Sequence, residues 1–442
     1  MELNERLQNT AVIGAAGKMG SGISLLLAQE TAFLALENPG VPHVLNLIDI
    51  SDAALQGLLR YIREQSRKTA EKQINRLRAL YASRADLVEN GDIVEEFVHE
   101  VMLHLRTGKT LSLAWESRLV FEAAFEKEEL KFDLYKELAA HCPPQTYFLT
   151  NTSSIPIHVL AGQGNVPSRI IGYHFYNPPA VQKLVELITP GVCDEELKAL
   201  SRELAKRLGK TIVPANDIAG FIGNGHFMRD GLHGIGEALN LAGELGFPKA
   251  VLAVDKASRD FLLRPMGIFQ LIDYVGVDVF QLILRVMDRY IPDAGLHSDL
   301  IDRYMELGVK GGQTSSGAQK DGFLKYEKNR PVGVYDPERR EYVPLEGLGK
   351  EVDAWLGPHP APELSWKALQ RDKAKDAKLR AYFGGWPGLD TKGVAIARRY
   401  FEASRATGEM LVSSGVAADP ADVNAVLTLG FFHLYGPIND YL

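Results

Sequence analysis

The stretch GYHFYNPPAVQKLVELI, residues 172–188, contains a histidine and a glutamate that could move a proton to or from a substrate. His174 stands at the end of one apolar run and Glu186 inside the next, with a stiff Asn-Pro-Pro between them. If that turn reverses the chain sharply, Glu186 accepts a hydrogen bond from one imidazole nitrogen and leaves the other as a general base. From this stretch alone, a purely structural His–Glu bond in a core is the more frequent outcome.

A glycine-rich loop near the N-terminus has the residues needed to bind a phosphate group. In TAVIGAAGKMGSGISLLLAQE, an apolar strand leads into Gly14, Gly17 and Gly20, and a helical pattern follows. A helix N-terminus supplies unpaired N–H groups and positive dipole charge, and glycines let the backbone approach a pyrophosphate. The spacing is one residue longer than the usual dinucleotide fingerprint, and Ala16 is the additional residue. The loop alone is weak evidence for a nucleotide.

An acidic residue at the end of the second apolar run, VLNLIDI, strengthens this prediction. A carboxylate at Asp49 can accept hydrogen bonds from both ribose hydroxyls and repels a 2′-phosphate, which favours NAD over NADP. The interval between the glycines and Asp49 exceeds the usual ~20 residues, and ALENPGVPH has the character of an insertion that accounts for the difference. The alternative is a helix-capping or surface aspartate.

The alternation of strand and helix patterns predicts the elements that position these residues. Residues 1–214 are expected to form a Rossmann-like doubly wound α/β sheet, with a helical insertion at about 52–110. Strand patterns are scarce beyond Phe221, so an all-α C-terminal region is expected, beginning with a helical domain at 215–335.

A second, diverged copy of that helical unit is expected at 345–442, after a Gly-rich polar segment at 311–333. The basis is a short similarity between PMGIFQLIDYVG, residues 265–276, and FFHLYGPINDYL, residues 431–442. Similarity over such a length can arise by duplication of a helical unit or by chance.

Composition excludes several classes of protein. The chain has 442 residues, of which 46% are hydrophobic and 24% charged, and its net charge of −7 argues against whole-molecule attraction to nucleic acid. The two cysteines have no metal-like spacing, so no metal site is predicted. The N-terminus lacks a signal-peptide pattern, and no apolar run is long enough to suggest a membrane span. A cytoplasmic protein is the expectation.

Taken together, these residues resemble the L-3-hydroxyacyl-CoA dehydrogenase family of fatty-acid β-oxidation. The resemblance covers about residues 10–330, and its pieces occur in the family's order: VIGAAGKMGSGI, LIDI, LVFEAAFEKEELK, TNTSSI, RIIGYHFYNPPAVQKLVELI, GKTIVPANDIAGFIGN and RPMGIFQLIDYVGVD. The HFYNP…KLVE and NTSS pieces are specific, whereas the glycine loop is not. Tyr176 departs from the pattern, because the family commonly has Phe there.

The resemblance implies a role for each matching residue. His174 matches the catalytic histidine, and Glu186 matches the carboxylate that orients it. Ser153 and Asn224 match residues that hydrogen-bond the reacting oxygen or position the substrate. The residues expected at the cofactor are Gly14, Gly17, Lys18, Met19, Gly20, Asp49, Glu126, Asn151, Ser153 and Asn177. Glu122 lies in the same stretch as Glu126, and which of the two contacts NAD is left open.

The implied reaction is the reversible NAD-dependent oxidation of (S)-3-hydroxyacyl-CoA to 3-oxoacyl-CoA. A helix rich in Arg and Lys fits the phosphates of CoA, with Lys68 and Lys72 as the best candidates, although a solvated helix face explains it equally well. An NAD-dependent β-hydroxyacid dehydrogenase acting on a non-CoA substrate and a non-catalytic NAD- or acyl-CoA-binding protein are the alternatives. A monomer or homodimer is expected, because a duplicated helical unit could replace a partner subunit.

Overall fold

The structure is a computed structural model that describes residues 1–291, 294–314 and 317–442. The chain divides into two compact units, Met1–Asp217 and Ile218–Leu442. The sequence-based boundaries at 214, 335 and 345 remain predictions. Ser315 and Ser316, in the Gly-rich segment, lie outside the described residues.

The first unit, every residue of which is described, is built on an eight-stranded sheet. Its strands are β1 (Asn9–Ile13), β2 (Val44–Ile48), β3 (Leu105–Gly108), β4 (Leu119–Glu122), β5 (Tyr147–Thr150), β6 (Ile170–Phe175), β7 (Leu184–Thr189) and β8 (Thr211–Asn216). They lie in the order β3-β2-β1-β4-β5-β6-β7-β8. Neighbouring strands are parallel except β6 and β7, which are antiparallel. The predicted doubly wound α/β architecture is confirmed.

Helices connect these strands and cover the sheet. They are α1 (Leu3–Arg6), α2 (Gly20–Glu37), α3 (Asp52–Lys72), α4 (Ile74–Leu80), α5 (Asn90–Leu103), α6 (Glu128–His141), α7 (Ile157–Gln163) and α8 (Glu195–Arg207), with a 3-10 turn at Leu111–Ala114. Every residue of β4 and β5 is buried, as expected for central strands covered on both faces. The Ser51 hydroxyl caps α3 by accepting from the Ala54 N–H at 3.2 Å.

Two local expectations in this unit were wrong. In the sequence, residues 52–83 have the polar, Arg- and Lys-rich pattern of one long helix, but α3 ends at Lys72 and α4 begins at Ile74. The edge strand β3 was not expected, because its four residues are exposed or half-buried and carry little strand pattern. The strand β3 forms because its backbone pairs with β2, which the local sequence pattern does not indicate.

The described part of the second unit is mostly helical, as predicted. Its α-helices are α9 (Gly223–Leu245), α10 (Phe247–Lys256), α11 (Ile268–Val275), α12 (Val277–Tyr290), α13 (Asp299–Glu306), α14 (Leu345–Leu356), α15 (Trp366–Leu369), α16 (Lys375–Gly384), α17 (Lys392–Ser413) and α18 (Pro420–Gly430). A π-helical turn follows α10 at Ala257–Phe261, and a 3-10 turn spans Trp386–Gly388. No helix in the described ranges combines the length and apolar character needed to cross a membrane.

The second unit also contains a small antiparallel sheet that the sequence pattern did not suggest. It consists of β9 (Leu324–Glu327), β10 (Arg330–Asp336) and β11 (Glu341–Pro344), in the order β11-β10-β9. The outer strands have four residues each, too short for a clear alternation of apolar and polar positions.

The two similar stretches of sequence share a local arrangement. Asp255 precedes Gly267, and Asn424 precedes Gly436, by the same number of residues. In each case the side-chain oxygen accepts a hydrogen bond from the N–H two residues after the glycine, at 2.9 and 3.0 Å. A Cβ on either glycine would collide with that side chain. This likeness supports the proposal of a second helical unit at 345–442, which remains a prediction.

Candidate active site

His174 and Glu186 are direct cross-strand partners on β6 and β7. The imidazole Nδ1 lies 2.9 Å from Oε2 of the carboxylate. His174 is 8% exposed and Glu186 is fully buried, so the pair is screened from bulk water yet the imidazole reaches the surface. Because directly opposite residues of antiparallel strands point to the same face, the reversal between β6 and β7 brings the two side chains together.

The turn that joins β6 to β7 packs against α2, the helix that follows the glycine loop. A Cβ on Gly22 would lie 2.8 Å from Cδ of Pro179, so the helix backbone and the proline ring are in close contact. Lys210 Nζ donates to the carbonyl oxygens of Pro179 and Gln182, at 2.5 and 2.7 Å, and fixes the turn from the other side. The His–Glu pair is thereby tied to the loop predicted to hold a phosphate.

The glycine loop joins β1 to α2 and packs closely against the segment that follows β4. Gly14 has a φ of +72°, and a Cβ there would lie 2.5 Å from the carbonyl oxygen of Ala123. A Cβ on Gly20 would collide with the carbonyl oxygen of Gly14. Gly17 is exposed at the surface of the loop, and Lys18 and Met19 follow it immediately before α2. The cradle therefore fits a pyrophosphate held by backbone N–H groups at the start of α2.

Asp49 follows β2 and contacts this loop directly. Its Oδ2 accepts a hydrogen bond from the N–H of Ala16 at 3.0 Å, and its Oδ1 accepts from the N–H of Ser51 at 3.3 Å. Ala16 is the residue that makes the loop longer than the usual fingerprint. The carboxylate is half-buried beside the loop, which fits the ribose end of a dinucleotide.

Glu122, at the end of β4, belongs to a buried network. It is fully buried, and its carboxylate accepts four hydrogen bonds, from the Ala124 N–H at 2.7 Å, Lys131 Nζ at 2.6 Å, Thr150 Oγ1 at 2.6 Å and the Tyr135 hydroxyl at 3.2 Å. These donors surround the carboxylate with protein groups. Glu122 is therefore a structural anchor in this structure rather than a surface group.

Glu126 holds the segment Thr152–Ser154 that follows β5. Its Oε1 accepts from the Thr152 hydroxyl at 2.6 Å and from the N–H groups of Ser153 and Ser154 at 2.9 and 3.1 Å. Burial acts to raise the pKa of Glu126, but the charge of Lys131 and these hydrogen bonds outweigh it and hold the pKa below its ordinary value. With 16% of its side chain exposed, Glu126 remains nearer to the surface than Glu122.

Two predicted residues, Asn151 and Asn177, lie at the carboxyl edge of the sheet of the first unit. Asn151 follows β5, and its Oδ1 accepts from the N–H of Phe175 at 2.9 Å, which joins the ends of β5 and β6. Asn177 lies in the turn after β6. Asn224 lies in the first turn of α9, in the second unit. The ligand roles expected of these three residues remain predictions.

Lys68 and Lys72 are exposed on α3. Their neighbour Arg67 is already engaged, because its guanidinium forms two hydrogen bonds with Glu95, at 2.9 and 2.7 Å. Neither Lys68 nor Lys72 forms an ion pair with another of the described residues. The structure thus presents these two cations to solvent and leaves the CoA prediction open.

Sequence reasoning missed two residues. Lys131 is 1% exposed and forms ion pairs with both Glu122 and Glu126, at 2.6 and 3.3 Å. The available signal was the position of Lys131 in the first turn of the helical pattern that follows Glu122 and Glu126 in the sequence. Tyr176 was noted only as a departure from the family pattern, but its hydroxyl donates to Oε2 of Glu186 at 2.7 Å.

Comparison with known proteins identifies the family. Residues 9–218 match the NAD-binding domain of 3-hydroxyacyl-CoA dehydrogenase, and residues 233–321 match its C-terminal domain. A probable 3-hydroxybutyryl-CoA dehydrogenase of Bacillus subtilis is 30% identical over 318 residues, which cover 72% of this chain and 97% of that protein. The chain belongs to the 3-hydroxyacyl-CoA dehydrogenase family. It is therefore an NAD-dependent oxidoreductase of hydroxyacyl-CoA thioesters, as the motifs predicted.

Two further relatives of this dehydrogenase are informative. A 3-hydroxyadipyl-CoA dehydrogenase of Escherichia coli is 30% identical over 346 residues, which cover 77% of this chain and 62% of that protein. The crystal structure of 3-hydroxybutyryl-CoA dehydrogenase from E. coli superposes with a TM-score of 0.63 at 22% identity, covering 98% of this chain and 90% of that one. The second likeness concerns the fold alone, but it extends through both units.

Proposed function

We propose that this dehydrogenase oxidises the 3-hydroxyl group of (S)-3-hydroxyacyl-CoA reversibly, with His174 as the general base and Glu186 as the group that orients it. The 2.9 Å contact between His174 Nδ1 and Glu186 Oε2 carries the proposal. A carboxylate at this position accepts the Nδ1–H, which makes Nε2 the basic nitrogen of the ring. It also stabilises the imidazolium that forms when Nε2 takes a proton.

In the oxidative direction, His174 Nε2 takes the proton of the 3-hydroxyl as the C3–H bond breaks. The electron pair of the O–H bond forms the carbonyl, and the hydride leaves C3. NAD supplies the hydride acceptor when it is bound. In the reductive direction, the protonated imidazole gives its proton to the oxygen at C3. Between turnovers in either direction, the imidazole exchanges one proton with solvent to regain its starting state.

Ser153 is proposed to stabilise the negative charge that develops on the reacting oxygen. Glu126 holds Ser153 in place. Its N–H donates to Glu126, which also binds Thr152 and is paired with the buried Lys131. The backbone of Ser153 is therefore held in place, and its hydroxyl, 3.5 Å from Glu126 Oε1, needs only to rotate to donate to the reacting oxygen.

The proposed substrate is the CoA thioester rather than the free hydroxy acid. The names of the two relatives described above give hydroxybutyryl-CoA and hydroxyadipyl-CoA as their substrates. The exposed cations of Lys68 and Lys72 on α3 are proposed to bind CoA phosphates. Turnover of a series of (S)-3-hydroxyacyl-CoA thioesters and of the matching free acids, followed through NADH absorbance, tests this point.

Two conservative variants test the mechanism. His174→Gln removes the base and should lower kcat by about 10²- to 10⁴-fold, whereas Glu186→Gln should lower it by about 10- to 100-fold through loss of orientation. Both should bind NADH as the parent protein does. Glu100→Gln is a matched control, because Glu100 forms a similar 2.8 Å contact with His104 elsewhere in the first unit.

Other outcomes separate the alternatives. Normal turnover by His174→Gln would refute the proposed base. Equal turnover of the thioester and the free acid would indicate a β-hydroxyacid dehydrogenase. Binding of NADH and acyl-CoA by the parent protein without any turnover would indicate a non-catalytic binding protein.

A further inference from the structure

One carboxylate oxygen at the proposed active site serves two donors. Oε2 of Glu186 lies 2.9 Å from His174 Nδ1 and 2.7 Å from the hydroxyl of Tyr176. The rings of His174 and Tyr176 are close as well, with centroids 5.0 Å apart and planes inclined by 44°. Tyr176 comes two residues after His174 along the chain, so both side chains approach Glu186 from the same side.

The hydroxyl of Tyr176 acts on this oxygen as a neutral donor. Burial, followed by the negative charge of Glu186, holds the pKa of Tyr176 well above its ordinary value, so the phenol keeps its proton at any working pH. A hydrogen bond to a carboxylate stabilises its charge and lowers its basicity. Each donor on Oε2 therefore weakens the pull of that oxygen on the other donor.

We propose that Tyr176 is a positioning residue that holds Oε2 of Glu186 against His174 and limits how strongly the carboxylate raises the basicity of the imidazole. This inference rests on the proposed function, because Tyr176 acts only through His174. A phenylalanine at this position would keep the ring and lack the donor. The hydroxyl thus competes with His174 Nδ1 for the same carboxylate oxygen.

Other ionisable groups on the surrounding elements stay unchanged when the hydroxyl is removed. The face of the sheet that carries His174 is covered by α7, because a Cβ on Gly172 would lie 2.9 Å from Cδ1 of Ile157. In the first unit, the ionisable groups on the elements packed around the pair include His158 of α7, Asp217 after β8, which contacts His158 at 2.8 Å, and Lys183 and Lys210 at the turn. The β8 residue opposite Glu186 is Val213, which carries no charge.

The test is Tyr176→Phe, measured in both reaction directions over a range of pH. Without the hydroxyl, Glu186 favours the imidazolium more strongly. The acid limb of the oxidation profile, where the base must be neutral, should move up by about half to one pH unit. The alkaline limb of the reduction profile, where the imidazolium is needed, should move up by the same amount. The plateau of kcat should fall by about 3- to 10-fold, with little change in KM.

A direct titration supplies a readout that does not depend on turnover. The imidazole of His174, followed by NMR in histidine-labelled protein and assigned with His174→Gln, should titrate at higher pH in Tyr176→Phe than in the parent. Tyr147→Phe is the matched control, because Tyr147 is also buried and its hydroxyl contacts Glu196 at 3.4 Å. That control should move neither the limbs nor the titration.

The outcomes separate the two proposals. Coincident pH limbs and coincident His174 titrations in Tyr176→Phe and the parent, with His174→Gln inactive, would overturn the role of Tyr176 and leave the proposed base standing. Full activity of His174→Gln would overturn both. A fall in thermal stability of Tyr176→Phe without a shift of either limb would show a structural hydrogen bond, which also contradicts the proposal.

Discussion

Lys131 offers the sharpest test of how the core of the first unit supports the active site. Its ammonium group is 1% exposed and forms ion pairs with Glu122 at 2.6 Å and Glu126 at 3.3 Å. Lys131→Met keeps the length of the side chain but leaves the buried carboxylate of Glu122 and the partly buried carboxylate of Glu126 without their cation. Removing one partner of a buried ion pair typically costs about 3–5 kcal/mol of unfolding free energy. A loss of that size is expected at neutral pH.

The sign of the pH dependence follows from the same geometry. In the parent, Glu126 has a lowered pKa in the folded state, so its contribution to stability is present at neutral pH and is lost as the pH falls through that pKa. In Lys131→Met, Glu126 loses the positive charge that lowers its pKa, so burial is less opposed and protonation relieves the unpaired carboxylate. The difference in stability between parent and variant should therefore shrink as the pH falls from 8 towards 5.

Hydrogen exchange of peptides that span β4 and β5 measures this effect within the first unit, with urea unfolding as a second measure. A double variant, Lys131→Met with Glu122→Gln, should recover part of the loss because one of the two unpaired charges is gone. A destabilisation below about 1 kcal/mol in Lys131→Met would refute the reasoning, as would a difference that grows at low pH.

Three further predictions concern binding and assembly. Gly20→Ala should weaken NAD binding at least tenfold, because a Cβ would collide with the backbone of Gly14. Gly57→Ala on α3 is the control: a Cβ there would have no atom closer than 4.0 Å, so this variant should bind NAD normally. Isothermal titration calorimetry of both variants measures the difference. Reversing Lys68 and Lys72 to Glu should raise KM for the acyl-CoA about tenfold and leave KM for NAD unchanged; an unaltered KM would remove these residues from the substrate site. Light scattering should show a monomer or a weakly associating dimer, and a tight, concentration-independent dimer would contradict the idea that a second helical unit replaces the partner.

Most of the first unit could be predicted because its strands are apolar runs bounded by glycine or polar residues. β1, β2 and β4 to β8 were each visible in this way. β3 and the sheet β9–β11 were not, since their short, partly exposed strands are specified by their pairing partners rather than by local pattern. The break at Gln73 between α3 and α4 was also hidden, because residues of both segments favour helix.

The opposition of His174 and Glu186 was predictable because both lie on strands beside a stiff turn. The partners of Tyr176 and Lys131 were not, because a side chain's acceptor depends on how separate elements pack. Sequence spacing also left Glu122 and Glu126 equivalent. Only the packing of α6 and of the segment after β5 shows that Glu122 is enclosed, whereas Glu126 accepts hydrogen bonds from the Thr152–Ser154 segment.

The contact between Ala16 and Asp49 has an evolutionary consequence. The N–H of Ala16 donates to the carboxylate of Asp49, and Ala16 is the additional residue of this glycine loop. A relative with the shorter loop has no residue in that position and must orient its acid by another donor. Across the family, insertion of this residue and the identity of the amino acids that flank position 49 should therefore change together, and an alignment in which they vary independently would argue that the contact is incidental.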